Sequence, residues 1–342
     1  MRLPLHTLAP TLLLLSTVAG CATGPELSAD KDPFGPLGWV LEPTQGRRMR
    51  VPADFVGRVE MKLVDAVVPT RDRAEVPLTP DSELEIIAPP EPVAVEGEEK
   101  PERSTTASAV GTMQVPDWAA GGLYDLVVGL YRKGQTAPMR VKVVPRSVAL
   151  YERWPTDFRF VQLSNMNVGS VTAPRFSDEL VEEVNRIAPA FVITTGDYTE
   201  WAASLNDAES WRRVKRYFAR FDAPVFLVPG DHDHEASFTE WVAPSKSGRF
   251  RFGDYVGILL HDNYRNPIDS DDGQMEWMDT VLGEARNATM VMLIGNNDSL
   301  RVFDAWRKMG YRPADYVARN RIGMIFAGGH SDWDQAEHAP KL

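Results

Sequence analysis

Phe191-Val-Ile-Thr-Thr-Gly-Asp197-Tyr198 and Val225-Phe-Leu-Val-Pro-Gly-Asp231-His232-Asp233 decide the architecture. Each is a short apolar run without polar alternation, followed at once by a polar loop. Such a run predicts a strand buried on both faces, as in a parallel sheet covered by helices. Outward from these two stretches, apolar strand-like runs recur at Phe158 to Leu163, Phe250 to Phe252, Val256 to Leu260, Met290 to Ile294 and Met324 to Phe326. Helical spacing falls between them. Leu180, Val184 and Ile187 share one face behind a Ser177 cap. Trp211, Val214 and Phe218 mark a second helix, and Met275, Met278 and Leu282 a third. Alternating strands and helices predict a layered α/β domain, whose ligand sites lie at the carboxyl ends of strands.

The strand-end loops are therefore the candidate site. They read Gln162-Leu-Ser-Asn165-Met-Asn167, then Thr195-Gly-Asp197, then Pro229-Gly-Asp231-His232-Asp233. Later come Gly295-Asn296-Asn297-Asp298 and Ala327-Gly-Gly-His330-Ser-Asp332. Five polar clusters, each behind an apolar strand, resemble the loops of the calcineurin-like metallophosphoesterases, which run D-x-H, G-D, G-N-H-[DE], a lone H and G-H-x-H. The stretch His261-Asp262-Asn263, Gly273-Gln274, Trp277 and Leu282 is similar to the family's segment between the third and fourth loops. The resemblance spans about residues 158 to 335. It implies an α/β sandwich of two packed sheets with flanking helices over 148–342, and a metal-dependent phosphoesterase ancestry.

Carried over position by position, the resemblance implies that Asp197 is the metal-bridging aspartate. His232 matches the histidine that assists catalysis, Asp233 the acid beside it, and His330 the first histidine of the last loop. The remaining positions depart from the pattern. Asn165 and Asn167 stand for the first-loop aspartate and histidine, and Asp231 for the third-loop asparagine. Asn296 or Asn297 stands for the fourth-loop histidine, and Asp332 for the last one. Beyond the first twenty residues the chain has only five histidines, namely His232, His234, His261, His330 and His338. Glu200, three residues past Asp197, replaces the tyrosine that marks the purple acid phosphatase branch. Asparagine offers a neutral oxygen and no imidazole, so a full dinuclear Zn or Fe site is not expected. The oxygen-rich set Asp197, Asp231, Asp332 and His330 suits at most one hard divalent cation such as Ca or Mg, or Mn. The competing expectation is that these side chains point apart and hold no metal.

Two readings of function follow, with a third beside them. The domain is a catalytically impaired homologue kept as a binding or scaffold module, because first- and fourth-loop ligands are gone. Alternatively it is a divergent active phosphoesterase that uses Asp197, Asp231, His330 and Asp332 on one metal, with His232 as acid. The third places function in the β region that precedes it.

That β region is expected over 51–147, as a small immunoglobulin-like sandwich. Val59, Met61 and Leu63 alternate, as do Tyr124, Leu126, Val128 and Leu130, and then Met139, Val141 and Val143. Upstream, Arg2, the apolar Leu12 to Leu15 and Val18-Ala19-Gly20-Cys21 read as a secretory signal over 1–20. Val-Ala-Gly-Cys resembles the bacterial lipobox, which implies lipidation of Cys21, a membrane partner, and an outer-membrane location given Ala22. Residues 21–50 then read as a flexible tether. Cys21 is the only cysteine, so no intrachain disulfide is expected. With the chain ending at Leu342, the second sheet is expected to be shorter than is usual for the family. The formal net charge of -11 argues against nucleic acid as partner and leaves an envelope protein or a phosphate-bearing ligand.

Overall fold

The computed structural model describes residues 47–52, 57–67, 75–80, 85–87, 106–111, 113–116, 118–167, 178–199, 207–233, 238, 241–242, 246–261, 273–296 and 299–328. The first part is all β. Strands β1 (Arg47–Pro52), β5 (Thr106–Gly111) and β4 (Glu85–Ile87) make one antiparallel sheet. A second antiparallel sheet runs β6 (Met113–Gln114), β3 (Glu75–Pro80), β2 (Gly57–Asp65), β7 (Gly122–Arg132) and β8 (Arg140–Leu150). Val59, Met61 and Leu63 of β2 meet Tyr124, Leu126, Val128 and Leu130 of β7 in one buried cluster. Period-two alternation puts each set on one face, as the sequence predicts.

The β7–β8 ladder is interrupted once. The ladder shifts between Tyr124 and Leu126, so that Tyr124 pairs with Val148 but Leu126 with Val144. A bulge at Pro145–Ser147, with Arg146 at φ 49°, absorbs the shift. Val144 and Val148 therefore pack on the cluster, whereas Val143 stands 51% exposed on the other face.

From β9 onward the chain builds four layers. Strands β9 (Phe160–Leu163), β10 (Phe191–Thr194) and β11 (Val225–Leu227) pair in parallel, with β10 in the centre. Strands β12 (Gly248–Phe252), β13 (Tyr255–Leu259), β14 (Met290–Ile294) and β15 (Ile322–Phe326) form the second sheet in that order. Only the β12–β13 pair in it is antiparallel.

The two sheets face each other through Phe191, Ile193, Phe226, Phe250, Phe252, Met292 and Ile294. Phe226 and Phe250 stack across the interface at 3.9 Å between centroids. The residues between these point outward. Val192 meets α1 (Asp178–Ile187) and α2 (Asp207–Phe218) through Val184, Trp211 and Val214. Val291 and Leu293 meet α3 (Gln274–Glu284), α4 (Ser299–Lys308) and α5 (Pro313–Arg319) through Met278, Trp306 and Tyr316. The uninterrupted apolar runs of β10 and β14 thus serve two cores at once, one on each face. Asp178 and Glu179 open α1 and Arg186 closes it, which complements the helix dipole.

Candidate functional site

Parallel pairing brings the carboxyl ends of β9, β10 and β11 to one edge of their sheet. The loops then hold each other through the backbone. Thr195 N donates to Leu163 O at 3.0 Å, Asn165 N to Gly196 O at 3.3 Å, and Asn167 N to Asp197 O at 2.8 Å. Making these bonds forces tight left-handed turns. Asn165, Asn167 and Asp197 have φ of 54°, 44° and 58°. Asn and Asp tolerate that region best among residues with a Cβ, which accounts for the residue types found there. Gln162 Nε2 of β9 donates to Ala327 O at 3.0 Å, so the end of β15, in the second sheet, joins the same edge.

Asp233 is the centre of this edge. Its side chain turns inward and the residue is 3% exposed. One carboxylate oxygen accepts from Asp197 N at 3.0 Å and Gly230 N at 2.8 Å. The other accepts from Tyr198 N and Thr199 N, both at 3.0 Å, and from Thr199 Oγ1 at 3.2 Å. Four backbone N–H groups and a hydroxyl converge on one carboxylate and fasten the third loop to the second. The acid expected beside the catalytic histidine is here engaged on both oxygens with the neighbouring loops, by four backbone N–H groups and the Thr199 hydroxyl.

Burial is the main influence on Asp233 and pushes its carboxyl up to about 7, with the Asp197 charge adding to it against the pull of the Gly230 and Thr199 donors. Burial, followed by the Asp231 charge, also raises Asp197; the His232 N–H and ring and the Asn296 amide pull it back. Both acids therefore bind their protons more tightly folded than unfolded. The stability this contributes is present below the ordinary carboxyl range near 4 and is lost as pH climbs through about 7. Melting temperature, followed by circular dichroism, is expected to fall by several degrees between about pH 5 and about pH 8. An equal or higher value at the upper pH would contradict this electrostatic account.

Asn296 occupies the fourth-loop position and is 1% exposed. Its Nδ2 donates to Thr195 O at 2.7 Å, its Oδ1 accepts from Asp231 N at 3.3 Å, and its carbonyl accepts from Gly328 N at 3.0 Å. Its side-chain amide thus links the second and third loops, and its main chain adds the fifth. Asp197, 2% exposed, accepts from His232 N through Oδ1 at 3.3 Å. Gly230 lies so close to this carboxylate that a Cβ there would sit 2.1 Å from Asp197 Oδ1 and 2.3 Å from Asp197 N. Glycine is obligatory at 230 for that contact.

The structure thus brings Asn165, Asn167, Asp197, Asp231, His232, Asp233 and Asn296 together at one edge. Cys21, Asn297, His330 and Asp332 lie outside the described residues. Asn167 Oδ1 is buried without a hydrogen-bond partner among the described residues. Among those residues, no three His, Cys, Asp or Glu side chains converge to hold a metal ion. The two-metal set that the fold family implies does not fit what is present. Asparagine stands at both first-loop positions, the Asn296 amide is engaged on both its atoms, and Asp233 is engaged on both its oxygens.

Two more residues brace these loops and strand ends. Tyr198 is fully buried, its hydroxyl 2.7 Å from Thr194 Oγ1 and donating to Val228 O at 2.8 Å. Burial and the Asp233 charge push it well above its ordinary range, so it is a neutral strut. Gln274, at the start of α3, accepts from His261 N at 2.7 Å and donates to His261 O at 2.8 Å, fixing the end of β13. The only sequence signal for Tyr198 is its place directly after Gly-Asp.

The calcineurin-like phosphoesterase family matches residues 174–331, which take in every strand-end loop but the first. No curated protein matches the chain. A purple acid phosphatase from yellow lupin (Lupinus luteus) seeds is similar over 86% of this chain and 57% of its own, at 7% identity and a TM-score of 0.47. A cyclomaltodextrinase is similar over 87% of this chain and 59% of its own, at 11% identity and a TM-score of 0.17. The chain spans less than two thirds of each of those structures. Two packed sheets, loops meeting at their carboxyl edge, and a family match over most of those loops agree, and residues 174–331 are a calcineurin-like phosphoesterase domain.

Proposed function

We propose that the chain is an exported lipoprotein, anchored through Cys21 and sorted to the outer membrane, whose phosphoesterase domain is catalytically impaired and works as a binding or scaffold module. One observation carries the impairment: Asn296, at the fourth-loop position, spends both side-chain polar atoms on neighbouring loops. An amide brings neither the charge nor the imidazole nitrogen of the usual ligand, and this one is already engaged with two other loops. The loops are cross-linked by hydrogen bonds where the family uses cations. The lipoprotein part rests on the Val18-Ala19-Gly20-Cys21 motif, and mass spectrometry of the mature N-terminus tests it.

A second reading keeps one hard cation, Ca or Mg or Mn, at Asp197 and Asp231 with His330 and Asp332, and with it a divergent phosphoesterase activity. Two observations favour it: Asn167 Oδ1 has no hydrogen-bond partner among the described residues, and the Asp231 charge lies close enough to add to burial in raising Asp197. Elemental analysis by inductively coupled plasma mass spectrometry separates the readings. The scaffold reading expects no metal above background and no change in melting temperature with a chelator or with millimolar calcium. A stoichiometric metal, together with phosphate-ester cleavage that Asp197→Ala abolishes, would replace it with the second reading.

A further inference from the structure

From Leu126 to Tyr151 there are five Lys or Arg and no acid, in a chain whose acids outnumber its Lys and Arg by 48 to 37. Arg146 of this run pairs with Asp222, and Lys142 is engaged as well. The other three, Arg132, Lys133 and Arg140, flank the turn between β7 and β8. Arg132 and Lys133 are exposed and Arg140 is half-buried. None of the three side chains has a hydrogen-bond or ion-pair partner among the described residues. Nor does the turn need them, since its backbone closes it: Gln135 N donates to Arg132 O at 3.0 Å and Met139 N to Leu130 O at 2.7 Å. Guarding the β8 edge against a stray strand accounts for Arg140, but not for Arg132 or Lys133.

A second basic run comes to the same end of the sheet. β2 starts beside this turn, with Gly57 paired to Arg132 and Arg58 to Tyr131. Four residues upstream lies β1, Arg47-Arg48-Met49-Arg50-Val51-Pro52, and from Arg47 to Arg58 the one acid is Asp54. The four-residue link keeps Pro52 within about 18 Å of Gly57. The end at which the chain arrives from Cys21 is therefore the basic one. β8 leaves from the other end, where Leu150 pairs with Gly122, and leads into the phosphoesterase domain.

We propose that this basic end docks on an anionic lipid surface, with Arg132, Lys133 and Arg140 at the headgroup phosphates as a second contact beside the lipid on Cys21. Charge complementarity and the place where the anchored segment joins the sheet both point to a membrane. The proposal rests on the lipoprotein reading for the nearness of that membrane. Each cation close to such a surface strengthens binding about fivefold. Acids elsewhere on the chain weigh little against this, because salt screens charges beyond about 10 Å.

Cosedimentation of residues 21–342 carrying Cys21→Ser, which has no lipid of its own, tests it. The vesicles are phosphatidylcholine alone, or phosphatidylcholine with an equal part of phosphatidylglycerol. Binding at millimolar lipid is expected only with phosphatidylglycerol, and should vanish as salt rises from about 0.1 M to about 1 M. The triple variant Arg132→Gln, Lys133→Gln, Arg140→Gln should bind about a hundredfold more weakly. Arg286→Gln, Arg307→Gln, Arg312→Gln makes the same change in net charge on exposed residues of the phosphoesterase domain, and should stay within about twofold of the parent. The proposal is overturned if phosphatidylglycerol adds nothing, if the hairpin variant binds like the parent, or if the distant variant loses as much. Capture by polyglutamate with no vesicle binding would make the partner an acidic protein and overturn it too. Mass spectrometry of the mature N-terminus decides the lipid on Cys21 separately, so either reading can fail alone.

Discussion

Asp233→Ala is expected to lower the unfolding free energy by about 3–5 kcal/mol, the range for removing one partner of a buried charged network. The carboxylate accepts four backbone N–H groups and the Thr199 hydroxyl in a site almost closed to water. Alanine strands all of them, and each orphaned buried donor costs about 1–3 kcal/mol when nothing replaces its acceptor. The sum is reduced by relaxation and by entry of water. Asp233→Asn keeps the shape but should recover little above pH 7, because its NH₂ would face donors. Asp231→Ala, at a half-exposed position two residues away, should cost less than about 1 kcal/mol. Urea unfolding of the three variants checks the order. If Asp233→Ala unfolds within 1 kcal/mol of the parent, the clamp is not what holds these loops.

Asp233 also shows where sequence reasoning stops. Gly-Asp-His-Asp after a strand identifies the loop and its place in the fold, because apolar run, glycine and polar cluster are local signals. It does not reveal which way a carboxylate points. That depends on the left-handed turn at Asp197, which brings the N–H groups of Asp197, Tyr198 and Thr199 to the side chain of another loop. Asn296 is a similar case. Its residue type shows the loss of an imidazole, but its two bonds, to Thr195 and to Asp231, join positions far apart in the chain.

The strands were the legible part. Phe191–Thr194, Val225–Leu227 and Met290–Ile294 lie where their apolar runs predict, since burial on both faces leaves Thr194, at a strand end, as the one polar residue in them. The alternation of Met139, Val141 and Val143 marks the strand but not its inward face: Val144 and Val148 point to the cluster on either side of a bulge that shifts the register by two residues and so keeps the facing.

Trp306→Ala should remove about 3–5 kcal/mol, the usual loss for a large buried aromatic. Trp306 lies in α4, one of two helices, with α5, that the apolar spacing did not predict. They are short, ten and seven residues, and α4 carries four charged side chains, so their apolar stripe is thin. What holds them is aromatic packing. Trp306 is fully buried, stacked on Tyr316 at 4.6 Å and in contact with Phe303 at 5.3 Å, while Arg319 lies over the Tyr316 ring at 5.3 Å. Tyr316 in turn donates to Asp279 of α3. Removing the indole leaves a cavity at the centre of the layer that covers β14 and β15, the strands that carry Asn296 and Gly328 to the site. Trp306→Phe tests the packing account more closely. The indole Nε1 is buried with no hydrogen-bond partner among the described residues, so phenylalanine discards an unsatisfied donor along with some volume. It should cost well under half as much as alanine. A phenylalanine variant as unstable as the alanine one would show that the indole N–H has an acceptor, and that packing is not the main term in this layer.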